Sequence, residues 1–184
     1  LALDGPLHAQ LLAFLGGALV LDFGTSIVHH APVAELIGPR LLVTGALLLY
    51  ATVIAVALAI PLGLLSAVRR NRLPDHVVRV LSMIAFAMPA FWLGLVLVLL
   101  FSLVLGILPT STLGDTPVEW LRGLTLPALT IGLYLAPLLL RTLRSSAIEQ
   151  LGMEHVEAAR ARGLSERRVI GRHVMRNSLI AMVT

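Results

Sequence analysis

The sequence predicts an all-α membrane protein with several transmembrane helices, and two observations carry that prediction. Of its 184 residues, 58% are apolar and only 13% charged, whereas ordinary soluble domains carry about a quarter charged residues. The apolar residues also fall in long blocks: residues 41–68, 80–114 and 123–140 contain no charge. A helix that crosses a bilayer needs roughly 20 such residues at about 1.5 Å each. A buried core helix usually supplies about 10–14. The first two blocks are long enough to cross with tilt, and the third just suffices.

Taken in order, residues 1–38 form an expected extracytoplasmic segment. Within it, 11–21 is apolar but short and suits an amphipathic helix lying in the membrane interface. Asp22-Phe-Gly-Thr-Ser26 reads as a turn, and Pro32, Gly38 and Pro39 are expected to break the chain before the first span. The membrane domain proper is expected over 39–184, with spans at about 41–68, 80–105 and 123–143 and the start of another at 178. Pro61 and Gly63 in the first span suggest a kink. Pro89 lies near the middle of the second, and Pro127 and Pro137 lie inside the third. A proline frees a backbone carbonyl, which lipid tolerates only where neighbouring helices or a water-filled cavity satisfy it. The four prolines are therefore candidate hinges or pathway-shaping residues, against the plainer reading that proline is commoner in membrane helices than in soluble ones.

Arginine placement sets the orientation. All fourteen basic residues are arginine, and twelve of them lie within residues 69–79 or 141–177. Cytoplasmic loops are enriched in Arg and Lys. Residues 69–78 and 141–177 are thus expected inside the cell, with the start of the chain and the loop 106–122 outside. No charge falls well inside the three spans, so no proton or ion relay is visible in them.

The absences exclude whole chemistries. Without cysteine there is no disulfide, thiolate metal site or thiol nucleophile. Without lysine there is no phosphate-binding P-loop, so any nucleotide chemistry belongs to another polypeptide. The adjacent His29 and His30 lack a third ligand, and His155 lacks a second histidine four residues away, so a zinc helix is not expected. Asp115 and Glu119 read as solvated loop acids, with contact to an external binding protein as the alternative. Because the chain begins at Leu1 and stops within the apolar run 178–184, it is expected to be a fragment lacking spans at both ends.

The basic stretch 145–177 is the richest segment. Its first part, to about Ala161, is built from helix-favouring residues. Gly163 fits the left-handed position that closes a helix. Ser165 suits the cap of a second helix, with Glu166 in its first turn. Val169, Ile170, His173, Val174 and Arg176 then continue along that helix. The same spacing of Ala159, Gly163 and Val169 occurs in DNA-reading helix-turn-helix units. Apolar spans abut this one within a few residues on both sides, which leaves no room for the further soluble helices such a domain needs; nucleic-acid binding is not expected.

Glu157-Ala-Ala-Arg-Ala-Arg-Gly163 resembles the signature of permease subunits of bacterial ABC importers. Ala161-Arg-Gly-Leu-Ser-Glu-Arg-Arg-Val169, followed by His173 and Arg176-Asn177, is similar to the dipeptide/oligopeptide/nickel branch. The resemblance covers nearly the whole chain, through Phe23-Gly-Thr-Ser26, Ile60-Pro-Leu-Gly63, Met88-Pro-Ala-Phe-Trp-Leu-Gly94, Leu108-Pro109 and Leu126-Pro-Ala-Leu-Thr130. The wider family's motif ends in I-x-L-P, where this chain has His173-Val-Met-Arg176, as the peptide branch does.

The resemblance implies a type I importer permease (MetI-like) fold in a bacterial or archaeal inner membrane. It implies a second homologous permease, two cytoplasmic ATPase subunits that bind ATP and magnesium, and an extracytoplasmic solute-binding protein. It places Glu157, Ala158, Ala159, Gly163, Leu164 and Ser165 in an ATPase-coupling loop: the carboxylate to meet a basic group, the alanines to permit close approach, the glycine to turn. This chain itself would hold no cofactor, metal or catalytic residue. The cargo implied is a di- or oligopeptide. Nickel or another solute of the same branch, a secondary transporter needing no ATPase, and a structural membrane protein remain as alternatives.

Overall fold

The computed structural model describes residues 6–110, 114 and 116–183. The chain divides into two compact units, Leu1–Leu47 and Leu48–Thr184. Regular structure among the described residues is helical, apart from one isolated bridge between Thr25 and Pro32.

In the first unit, α1 (Leu7–Leu19) carries only His8 and Gln10 as polar side chains. Leu7, Leu12 and Leu19 are all exposed. It is therefore an apolar helix of 13 residues, without the polar face that an amphipathic interfacial helix requires. The turn after it is held by Asp22, whose carboxylate accepts from the Gly24 amide at 3.0 Å. Gly24 itself has φ +72. α2 (Val33–Val68) then begins well before the position expected from composition and runs through Gly38 and Pro39 without a break. Proline removes one ladder hydrogen bond, and the long apolar run that follows carries the helix past that loss. For the same reason α2 is unbroken at Pro61 and Gly63.

The second unit is organised around a seam between α2 and α5 (Pro117–Leu151). On α2, Ala51, Ala55, Ala59, Gly63 and Ala67 recur at every fourth position and are all buried. On α5, Leu124, Ala128, Gly132, Ala136 and Leu140 follow the same spacing and are buried too. Small residues let two membrane helices bring their backbones together. The approach is tight: a methyl group on Gly132 would lie 2.8 Å from the side chain of Ile54 and 3.1 Å from the carbonyl of Ala51. One on Gly63 would lie 3.1 Å from Leu143. Tyr50 meets Thr125 at 3.4 Å farther along. Residue numbers rise together on the two helices, so they run parallel.

Parallel helices require the chain between them to return. α3 (Leu73–Ala87) and α4 (Ala90–Leu97), which continues as a π-helical stretch over Val98–Val104, make that return. Val78 packs with Ala59 and Leu140, whereas Gly94 lies against Thr130. The path therefore descends α5 as it ascends in number. It is not one straight span, as 80–105 was expected to be: the two helices are bent by 103°. Pro89 causes the break by forcing the preceding residue into extended backbone, and Met88 sits at φ −78, ψ 130. α2 and α5 are long and apolar enough to cross a membrane, and the bent pair makes a third crossing if taken as one span.

Two more boundaries differ from expectation. α3 starts inside the arginine-rich connection, because Pro74 occupies one of the first helical positions, where a missing amide costs nothing. α5 starts before Gly123, because Thr116 and Glu119 form a reciprocal capping box, each accepting the other's amide at 3.3 Å. Glu119 is thus a helix-capping residue; Asp115 lies outside the described residues. Pro127 and Pro137 both sit within a continuous α5.

Substituting Gly132 by alanine forces Ile54 or the Ala51 carbonyl to move. The expected cost is that of overpacking, about 1–3 kcal/mol, seen as a lower thermal unfolding midpoint in detergent. An unchanged midpoint would contradict the seam.

Candidate functional site

The segment 145–177 does not form a free-standing hairpin. Its first part continues α5 as far as Leu151, where Gly152 and Met153 interrupt the helix. α6 (Glu154–Ala161) follows. After the turn, α7 (Glu166–Arg168), a π-helical stretch over Val169–Val174 and α8 (Met175–Val183) form one uninterrupted helical run. No loop separates the basic hairpin from the apolar run that begins at Ser178.

The turn between α6 and α7 follows from local chemistry. Gly163 has φ +78, a conformation that glycine adopts without penalty and β-branched residues resist. Its amide donates to the Arg160 carbonyl at 2.8 Å, and the Leu164 amide donates to the Ala159 carbonyl at 3.3 Å. These are the paired bonds of a Schellman closure, and the accompanying apolar contact is present: Leu164 packs against the cluster that contains Ala159. Ser165 occupies the cap position of α7, but its side chain makes no capping bond. Across the turn, Arg160 donates to Glu166 at 2.8 Å. That hydrogen bond, more than any longer-range attraction, raises the pKa of the Arg160 guanidinium. Both side chains are exposed, so the pair adds little stability.

Beneath the turn lies a compact apolar cluster of Ala67, Ala147, Val156, Ala159, Val169 and Val174. It joins the end of α2, the end of α5, α6 and the π-helical stretch. Each fully buried valine contributes roughly 1.5–3 kcal/mol. Two further contacts join α5 to α8 and α6 to the π-helical stretch: Asn177 donates to Gln150 at 3.3 Å, and the rings of His155 and His173 stand 6.4 Å apart in a tilted arrangement. This geometry sorts the six residues of the expected coupling loop. Glu157, Gly163 and Ser165 are exposed and Ala158 is half-buried. Ala159 is buried in the cluster and Leu164 packs against it. Ala159 therefore serves the loop's own core rather than offering a surface for a partner to approach. The four proline candidates separate as well, since only Pro89 divides two helices, and Pro137 is buried within α5.

Sequence reasoning missed the second element of the site. Asp75, in the first turn of α3, is fully buried. Its Oδ2 accepts from Arg144 Nη2 and its Oδ1 from Arg144 Nε, both at 2.8 Å, a bidentate pair. Ser66 Oγ donates to the same carboxylate, and the Asn71 amide donates to Oδ2 at 2.9 Å. Asn71 reaches that position with φ +61, which asparagine tolerates better than most residues. One carboxylate thus ties α2, the connecting turn, α3 and α5 together, one helical turn before the apolar cluster. The signal in the sequence was a single acid among Arg69, Arg70, Arg72 and Arg79 beside an apolar block. In a stretch that composition marks only as a cytoplasmic connection, that lone acid gives no local hint of burial.

Residues 59–184 match the family model described as the binding-protein-dependent transport system inner membrane component. The chain is 39% identical, over its full length, to the glutathione transport system permease protein GsiC of Salmonella choleraesuis (strain SC-B67), covering 58% of that protein. It is 37% identical over 99% of its length to the oligopeptide transport system permease protein AppB of Bacillus subtilis (strain 168), covering 60% of it. It is 35% identical over its full length to a putative peptide transport system permease protein of Brucella abortus (strain 2308), again covering 60%. The chain therefore spans somewhat under two thirds of the relatives it matches.

Replacing Asp75 by alanine leaves the largely buried Arg144 without a counter-charge, at an expected cost of about 3 kcal/mol. Adding Arg144→Met should recover much of that loss. Thermal melts of the single and double variants check both expectations, and a double variant no more stable than the single one would contradict the pairing.

Proposed function

We propose that this chain, which belongs to the family of binding-protein-dependent transport system inner membrane components, forms part of the translocation pathway of an ATP-driven peptide importer and receives its motion through the hairpin around Gly163. A membrane protein of this family acts with other components. We assign to its complex a second homologous permease, two ATPase subunits that bind ATP and magnesium, and an extracytoplasmic solute-binding protein. The arginine asymmetry favours a cytoplasmic position for 141–177 in a bacterial or archaeal inner membrane, on the side where ATP is available. The names of the relatives, which specify glutathione, oligopeptides and peptides, support a peptide cargo.

The observation that carries this reading is the construction of the hairpin. Its outer edge exposes Glu157, Gly163 and Ser165, while its inner face is packed in one cluster with the ends of α2 and α5. A partner that grips the outer edge moves two membrane helices together, because close-packed interiors transmit displacement rather than absorb it. Glu157 supplies a carboxylate for a basic group of the ATPase. Gly163 keeps the turn shallow, and a side chain added there meets no neighbour within 4 Å, so that space is open to a partner. Hydrolysis belongs to the ATPase, and this chain is not itself an enzyme.

Since these 184 residues contain no cysteine, Ser165→Cys places one labelling site among them, with labelling of the unaltered protein as the baseline. It should react with an impermeant thiol reagent in inside-out vesicles and stay protected in intact cells; labelling from outside would overturn the orientation. Gly163→Val should cost at least about 1–2 kcal/mol in backbone strain and lower ATP-driven peptide uptake by the assembled transporter. Normal uptake would contradict the role of the turn. Glu157→Ala should reduce co-purification of the ATPase while the permease still inserts, and undiminished recovery of ATPase would remove Glu157 from the contact.

A further inference from the structure

Between α3 and α5 lies a groove of about 370 Å³, and its lining has two characters. One end carries Arg79, Arg141 and Arg144; apart from Ser82, whose hydroxyl donates to the Val78 carbonyl, the rest is apolar, with Met83, Phe86 and Leu138 along the wall. Arg144 has its charge matched by Asp75. Arg79 and Arg141 are exposed, and among the described residues neither has an acidic partner. The groove thus combines two unspent positive charges with an apolar trough.

We infer that this groove holds an anionic phospholipid of the surrounding membrane, with its phosphate on Arg79 and Arg141 and an acyl chain along Met83, Phe86 and Leu138. Guanidinium groups bind phosphate oxygens through paired N–H donors, and basic pockets between transmembrane helices are established sites for lipid headgroups. The volume falls at the small end of the range that encloses a drug-sized ligand, about 300–1,000 Å³. It accepts a headgroup and the upper part of a chain, and the remainder lies along the open wall. That wall is apolar and outward: Met83 is 71% exposed, Phe86 55% and Leu138 46%.

Charge balance decides against a peptide as the occupant. A peptide brings an ammonium as well as a carboxylate, and the ammonium needs an anion. Among the described residues the groove lining contains no acid, and the carboxylate paired with its Arg144, Asp75, is fully buried and already accepts from Ser66, Asn71 and Arg144. A phospholipid with net negative charge has no such requirement.

The test uses the assembled transporter in phosphatidylcholine vesicles doped with phosphatidylglycerol or phosphatidylcholine that carries a photoactivatable acyl chain. On the unaltered protein, adducts should map to 79–86 and 137–141 and should form preferentially with phosphatidylglycerol. Each arginine replaced by alanine should lower that preference about fivefold, and Arg79→Lys with Arg141→Lys should largely retain it. Equal labelling by the two lipids overturns the proposal, and this comparison stands even if the alanine variants fail to assemble. An undiminished preference in a folded Arg79→Ala/Arg141→Ala protein overturns it as well. Loss of the adducts on adding a dipeptide would reassign the groove to cargo and likewise overturn it.

Discussion

Inside a bilayer, turning an apolar side chain from lipid toward a neighbouring helix gains little, so helices adhere only where their backbones can come close. The α2–α5 seam satisfies that constraint with Ala51, Ala55, Ala59, Gly63 and Ala67 on one side and Ala128, Gly132 and Ala136 on the other. Everything else in the second unit is arranged around it. Because the two helices are parallel, the chain between them has to come back, and the bent α3–α4 pair does so. Because the seam reaches the ends of both helices, Ser66 and Arg144 arrive at one place, and Asp75 at the start of the returning segment meets them there.

That meeting point joins the membrane part to the hairpin. The ion pair and the apolar cluster built on Ala67 and Ala147 lie next to each other along the same two helices. One is directional and costly to rearrange; the other is non-directional and tolerant. Together they hold α6 and the helical run from Glu166 at a defined place on the bundle, while the space beside the Gly163 α-carbon stays open. A rigid base beneath an open tip is what a mechanical contact needs, whatever the chemistry of the partner.

Much of this was legible in the residues. Charge-free blocks located the apolar helices, and the glycine after a helix-favouring run marked a turn whose hydrogen bonds the structure supplies. Helix ends were less legible, because composition records where charge begins rather than where backbone hydrogen bonding stops. Thr116 with Glu119 and Pro74 near the start of α3 are starting signals that lie outside the apolar blocks, and so the helices overrun them. The four-residue spacing of small side chains from Ala51 to Ala67 was present in the sequence too, but alanine is unremarkable in an apolar run until a partner with matching spacing is found. The partners of Asp75 depend on residues 9 and 69 positions away, which no local pattern specifies. The placement of Ala159 shows the converse: a small residue beside an exposed acid suggests a docking surface, and only tertiary packing reveals that it faces inward.

The π-helical stretch over Val169–Val174 has a geometric meaning of its own. Val169 and Val174 are five positions apart and both fully buried. In an α-helix such a pair would point roughly 140° apart at 3.6 residues per turn, whereas the wider winding brings them onto one side. The extra residue acts as a phase shifter: it lets the hairpin and α8 each present the correct side to α5 along a single unbroken rod. Were the stretch to tighten into ordinary α-helix, everything beyond it would swivel by about 100°, the angle of one residue. A local change of winding at the hairpin would thereby become a rotation of the segment that follows it.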